Sequence, residues 1–195
     1  MKIVLINYGA GNIQSILFAL ERLNVQAVLS DDPEEIRSAD LVIFPGVGEA
    51  SSAMAKLQAS SLDTLIETLK QPVLGICLGM QLMCNHSEEG NTKGLGIFDT
   101  SVLRFPENVK VPQIGWNTIN ELRSPLFNGI KEGSHVYTVH SYYAPLCKDT
   151  SAVSDYAEPY SAALQRDNFY GLQFHPEKSS AVGSKILSNF LNMVS

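Results

Sequence analysis

The sequence predicts an α/β fold: a mainly parallel, doubly wound central sheet flanked by helices, in one domain over residues 1–195. Three observations point there. Short continuous apolar runs at 2–7, 41–44 and 72–76 read as strands buried on both faces. Stretches with helical spacing lie between them, as crossovers between parallel strands require. With 45% hydrophobic and 17% charged residues in 195, there is enough apolar material for a sheet covered on both sides.

Residues 2–7 form the first strand, after which Ile13, Ile16, Leu17, Leu20 and Leu23 recur at helical spacing. The intervening Tyr8-Gly9-Ala10-Gly11-Asn12 contains a G-x-G. Gln14 stands where a dinucleotide fingerprint needs its third glycine, so no cofactor is expected there. Residues 26–30 read as a second strand, and Asp32-Pro33-Glu34-Glu35 opens a helix, with Asp32 as N-cap and Pro33 at the first helical position. The 41–44 strand ends in Pro45-Gly46-Val47-Gly48, whose glycines let backbone N–H groups approach a ligand closely. Helical patterns over 53–56 and 62–69 lead to the strand at 72–76.

Beyond it, His86-Ser87-Glu88-Glu89-Gly90-Asn91 reads as a polar surface turn. Over residues 94–143 short β-type runs, including Val102-Leu103-Arg104-Phe105 and Val136-Tyr137-Thr138-Val139, predict antiparallel additions to the sheet. Residues 162–164 and 170–174 read as a closing hairpin. Val182, Ile186, Leu187, Phe190 and Leu191 mark a last amphipathic helix that starts after Ser179 or Ser180.

A net charge of -6 without a Lys/Arg cluster argues against a nucleic-acid partner. Cys77, Cys84 and Cys147 form neither a paired framework nor a C-x-x-C ligand spacing, which fits a reducing cytoplasm and no structural metal. The apolar start is too short for a signal core or a membrane span.

Gly75-Ile76-Cys77-Leu78-Gly79 sets a cysteine at the junction between a strand and the helix-compatible run Met80-Gln81-Leu82-Met83. A residue at such an apex is held in strained backbone geometry, and flanking glycines make room for it. The start of the helix adds a positive dipole end, which favours thiolate. Phe174-His175-Pro176-Glu177 supplies what the thiol lacks. In extended backbone His175 and Glu177 share a face, so the carboxylate can orient the imidazole while the other ring nitrogen serves the thiol.

Together, Pro45-Gly46-Val47-Gly48, Gly75-Ile76-Cys77-Leu78-Gly79-Met80-Gln81 and Gln173-Phe174-His175-Pro176-Glu177 resemble the oxyanion loop, nucleophile elbow and His/Glu segment of class I, triad-type glutamine amidotransferases. Within that class, Pro112-Gln113-Ile114-Gly115-Trp116-Asn117, Tyr137-Thr138-Val139-His140-Ser141-Tyr142-Tyr143 and Lys178-Ser179-Ser180 are similar to the glutaminase subunits of imidazole glycerol phosphate synthases. The resemblance covers nearly the whole chain. It implies the flavodoxin-like fold of the class, with antiparallel additions in the C-terminal half.

It also implies hydrolysis of L-glutamine through a γ-glutamyl thioester on Cys77, with His175 as base and then acid and Glu177 orienting it. Backbone N–H groups of Leu78 and the Gly46-Val47 segment would stabilise the oxyanion. Gly48, Gln81, Glu89 and the backbone at Ser141-Tyr142 match positions that hold the ends of the substrate, and Asn12, Trp116, Tyr137 and Lys178 match interface positions toward a (β/α)8-barrel cyclase subunit. That cyclase would use the ammonia in histidine biosynthesis. Neither cofactor nor metal is implied. Two departures stand out: Gln113 where many relatives carry histidine, and Ser141 where some carry threonine.

Overall fold

The computed structural model describes residues 1–9 and 11–194; Ala10, in the middle of the Tyr8-Gly9-Ala10-Gly11-Asn12 stretch, and Ser195 lie outside them. The chain runs β1 (Ile3–Ile6), α1 (Ile13–Glu21), β2 (Val28–Ser30), α2 (Pro33–Arg37), β3 (Leu41–Phe44), α3 (Ala50–Ala59), α4 (Leu62–Thr68), β4 (Val73–Ile76) and α5 (Leu78–Leu82). It continues through β5 (Cys84–Ser87), β6 (Thr92–Lys93), β7 (Phe98–Arg104), β8 (Gln113–Ile119), β9 (Ser134–His140), β10 (Tyr142–Tyr143), β11 (Thr150–Tyr156), β12 (Glu158–Arg166), β13 (Phe169–Leu172) and α6 (Ser180–Leu191).

The central sheet has the order β11-β12-β13-β4-β3-β1-β2. Strands β2, β1, β3, β4 and β13 are parallel, and β12 and β11 add to them antiparallel. Every residue of β1, β3 and β4 is buried, which is why these runs are apolar throughout instead of alternating. Alternation persists in what each side chain meets. Val4, Ile6, Val42 and Phe44 face α2, α3 and α4 through Ile36, Leu57 and Leu65, whereas Ile3, Leu5, Leu41 and Ile43 face α1 and α6 through Ile16, Leu20, Ile186 and Phe190. Asp32 caps α2 as expected, its carboxylate accepting from the N–H groups of Glu34 and Glu35.

Three expectations need correction. Residues 86–91 are not simply a surface turn: β5 takes in His86 and Ser87, pairs parallel with β7 and antiparallel with β6, and only 89–91 form a 3-10 turn. The run Cys84-Asn85-His86-Ser87 carries no apolar alternation, so its strand character comes from pairing alone. Second, the β-runs within 94–143 do not join the central sheet. They build a four-stranded sheet in the order β10-β7-β5-β6 and a two-stranded β8-β9 hairpin, because the C-terminal edge of the main sheet is taken by the β12 and β11 strands. Third, the helix after the elbow is five residues long, too short for the full macrodipole that the sequence suggested. Among the described residues no helix is long and apolar enough to cross a membrane.

Candidate active site

Three parallel strands that lie side by side in the sheet, β3, β4 and β13, end at the same edge and deliver the three motifs there. Ligands of open parallel sheets bind at the carboxyl ends of the strands. The loop 45–48 leaves β3, Cys77 follows β4, and Gln173 to Glu177 follow β13. Register closes the long sequence separation: Leu172 pairs with Ile76, and the Cys77 N–H donates to the Leu172 carbonyl at 2.7 Å.

Cys77 has φ 53° and ψ -111°, a positive φ that is costly for any residue with a side chain. Close packing holds it. A Cβ on Gly79 would lie 2.1 Å from the Phe44 carbonyl oxygen, and one on Gly46 would lie 2.4 Å from the Gly79 nitrogen, so the 45–48 loop and the elbow touch backbone to backbone. Gly75 and its register partner Gly171 make room for side chains instead, since a Cβ there would meet Met83 Cε and Met80 Cγ at 2.3 Å. Gly79→Ala is therefore expected to destabilise the fold by about 3 kcal/mol, because backbone and not a yielding side chain stands in the way. Urea denaturation measures this, and an unchanged midpoint would contradict the packing.

His175 and Glu177 form a buried pair, Nδ1 to Oε1 at 2.8 Å, with side chains 2% and 1% exposed. The contact is not made by strand pleat as expected, since residues 176–178 form a 3-10 turn that brings the carboxylate back under the ring. Tyr137 secures that turn from the neighbouring β9: its carbonyl accepts from the His175 N–H at 2.9 Å, and its N–H donates to Ser179 Oγ at 2.9 Å. Ser179 Oγ in turn donates to the His175 carbonyl at 2.6 Å. Burial opposes a charge on His175, but the Cys77 thiol and the Glu177 carboxylate beside it outweigh burial and raise its pKa from 6.5 to about 10. Both neighbours thus favour a proton on the ring.

A cavity of about 320 Å³ opens over the thiol, lined by Val47, Gly48, Cys77, Leu78, Gln81, Glu89, Pro112, Val139, His140, Ser141, Tyr142, His175 and Lys178. Leu78 opens α5, so its N–H has no carbonyl one turn earlier to bind. Glu89 is half-buried and accepts from the Ala50 N–H at 2.9 Å. Burial raises its pKa, against the lowering effect of the Ala50 N–H and with a smaller push from Glu49.

A family model described as glutamine amidotransferase class-I matches residues 4–194. The chain belongs to this family. The amidotransferase is 56% identical over 196 residues to the imidazole glycerol phosphate synthase subunit HisH of Bacteroides fragilis (strain YCH46), a match that covers 99% of this chain and 100% of that one. It is 55% identical to the subunit of the same name from Bacteroides thetaiotaomicron, with the same coverage. In three dimensions it aligns with PurLQS from Thermotoga maritima at a TM-score of 0.73 and 17% identity, over 100% of this chain and 99% of that one, a likeness of fold.

Of the expected site residues of the amidotransferase, all but Gly46 and Glu177 among the catalytic, oxyanion and glutamine positions line the one cavity. Gly46 lies beneath it against Gly79, and Glu177 behind His175. The expected interface residues gather nearby, with Trp116 55% exposed and edge-on to Tyr137 at 6.0 Å. Lys178 is exposed, and its turn packs against α1, which Asn12 precedes, and against β9. Sequence reasoning missed Gln173, fully buried, whose Nε2 donates to Cys77 Sγ at 3.8 Å while its Oε1 accepts from Gln81 Nε2 at 2.9 Å. Its place two residues before His175 was the available signal. His140, inside the 137–143 stretch that carries the resemblance, was given no role of its own there.

Proposed function

We propose that this amidotransferase hydrolyses L-glutamine to glutamate and ammonia and is the glutaminase subunit of an imidazole glycerol phosphate synthase. The observation that carries this reading is the His175 imidazole, buried between the Glu177 carboxylate and the Cys77 thiol at the floor of an amino-acid-sized cavity. The relatives named as HisH subunits support the second half. Cys77 passes its proton to His175 as its sulfur attacks the side-chain amide carbon of glutamine. The tetrahedral oxyanion is met by the Leu78 N–H and by the Gly46-Val47 backbone, and one such donor is worth about 3–4 kcal/mol of barrier. As the C–N bond breaks, His175 gives its proton to the leaving nitrogen and ammonia departs, leaving the γ-glutamyl thioester. Water then attacks the thioester with His175 as base, releasing glutamate and restoring the thiol proton. Glu89, Gln81, Gly48 and the Ser141-Tyr142 backbone hold the amino and carboxylate ends of the substrate.

The ammonia passes to a (β/α)8-barrel cyclase subunit, which uses it with a phosphoribulosyl-formimino imidazolecarboxamide nucleotide to form imidazole glycerol phosphate and aminoimidazole carboxamide ribonucleotide. Both proteins work in the cytoplasm. The cyclase covers the face that carries Asn12, Trp116, Tyr137 and Lys178, where Ile114 and Trp116 are 60% and 55% exposed. Exposed aromatic anchors of this kind are where binding energy concentrates.

The test is the glutaminase rate of the purified chain alone and with cyclase plus nucleotide. A clear stimulation on adding both is expected. Full activity without partner would sink the coupling, and no hydrolysis under any condition would sink the reaction. Trp116→Ala is expected to weaken assembly by about 2 kcal/mol, roughly thirtyfold in Kd. Titration calorimetry reads this, and unchanged affinity would move the interface elsewhere.

A further inference from the structure

We propose that His140 is a positioning residue for glutamine, acting through the Tyr142 carbonyl at one end of a buried hydrogen-bonded chain that runs from Gln113 through Tyr160. The inference rests on the glutamine reading above. His140 is 6% exposed and its ring borders the cavity. Nδ1 lies 2.8 Å from the Tyr142 carbonyl oxygen. A carbonyl can only accept, so Nδ1 carries the proton and donates. Burial lowers the pKa of this ring to about 4, with the Tyr142 carbonyl partly opposing and His175 adding to the shift. The ring is therefore neutral at working pH, and Nε2 is left as an acceptor.

Tyr160 meets that need. Its single hydroxyl hydrogen faces both His140 Nε2 at 3.4 Å and Gln113 Oε1 at 3.2 Å, long distances that suit a shared, three-centre bond. Phe105 and Tyr160 pack on the imidazole at ring-centre distances of 5.3 and 5.4 Å, which leaves it no room to turn. At the other end, the Tyr142 carbonyl also accepts from Gln81 Nε2 at 2.8 Å. Two donors from two different elements thus converge on one oxygen and occupy both of its lone pairs. The backbone so fixed is the Ser141-Tyr142 segment of the wall of the cavity that Gly48 and Glu89 also line. His140 makes no hydrogen bond to Cys77, His175 or Glu177, so its removal loosens the grip on glutamine more than it slows the bond-breaking steps. Gln113 supplies the second acceptor for the Tyr160 hydroxyl.

Saturation curves for glutamine hydrolysis by the assembled complex decide the matter, with wild type, His140→Leu, His140→Asn and His140→Gln compared. His140→Leu should raise KM about tenfold, the worth of one hydrogen bond of this kind, with kcat changed far less. His140→Asn places an amide nitrogen where Nδ1 stands and should recover most of the KM. His140→Gln reaches toward Tyr160 instead and should not. Unchanged KM in His140→Leu, or equal impairment of the Asn and Gln variants, overturns the proposal. Thermal denaturation identifies a leucine variant that fails to fold, in which case the Asn and Gln pair decides alone. A wild-type complex that ignores glutamine would overturn the underlying reading instead, and so the two failures are told apart.

Discussion

Cys77→Ala is expected to abolish glutamine hydrolysis, by at least about 10⁴-fold, because removal of the nucleophile from a triad costs nearly all of its catalysis. No neighbour can take over. Cys84 is fully buried, and burial, then Cys147 and Asp149, push its thiol pKa up and out of reach of neutral pH. It bonds instead to the Met80 carbonyl one helical turn back, at 3.6 Å. The substitution should spare the fold. Alanine at φ 53° meets the same backbone strain as cysteine, and the thiol's own hydrogen bonds are long and weak, to the Val139 carbonyl at 3.9 Å and from Gln173 at 3.8 Å. Association with the cyclase should also persist, because Trp116 and Tyr137 are untouched. Ammonia added to the assembled complex should restore product formation. The check is therefore paired: glutamine-dependent and ammonia-dependent synthesis measured on one preparation. Hydrolysis surviving in Cys77→Ala would rule out the thiol mechanism, and loss of both activities would mean that the substitution damaged the assembly.

Where local pattern and burial agree, the fold was legible in the sequence. The runs at β1, β3 and β4 are apolar at every residue because both faces are covered, and Asp32-Pro33 starts a helix by its own hydrogen bonding. The tight junction at Cys77 was legible for a related reason, since close backbone contacts at Gly46 and Gly79 demand glycines, which leave a mark in the sequence. Strand β5 was not legible. Cys84-Asn85-His86-Ser87 acquires its conformation from β6 and β7, and nothing local announces it. The geometry of His175 with Glu177 was inferred correctly from the wrong cause, because a proline after His175 suits a 3-10 turn as readily as extended chain. Gln173 and His140 form hydrogen bonds to Gln81 and Tyr160, far along the chain, and no spacing rule encodes such partners.

Glu177→Gln should lower kcat by about 10²–10⁴-fold while leaving the fold intact, and its pH dependence should identify the cause. Glutamine keeps the volume of the side chain and can still accept from Nδ1–H. What it loses is the negative charge that, with Cys77, outweighs the burial of the ring. The sign follows from linkage. A histidine whose folded pKa, about 10, lies above its unfolded 6.5 binds a proton more tightly when folded, so its stabilising contribution is complete below pH 6.5 and is lost as pH rises toward 10. Removing the carboxylate lowers the folded pKa and narrows that window. Urea denaturation of wild type and Glu177→Gln at several pH values should therefore show wild type holding its largest advantage at the acid end of the 6.5–10 interval and losing it toward the alkaline end. A difference that stays constant across the interval would mean that Glu177 contributes by packing alone. The loss of rate would then have to come from orientation of the ring and not from the proton it carries. Activity narrows the choice further, since a Glu177→Gln enzyme that lacks only the charge should work best at lower pH than wild type, where its weaker base still holds the proton that the leaving ammonia must receive.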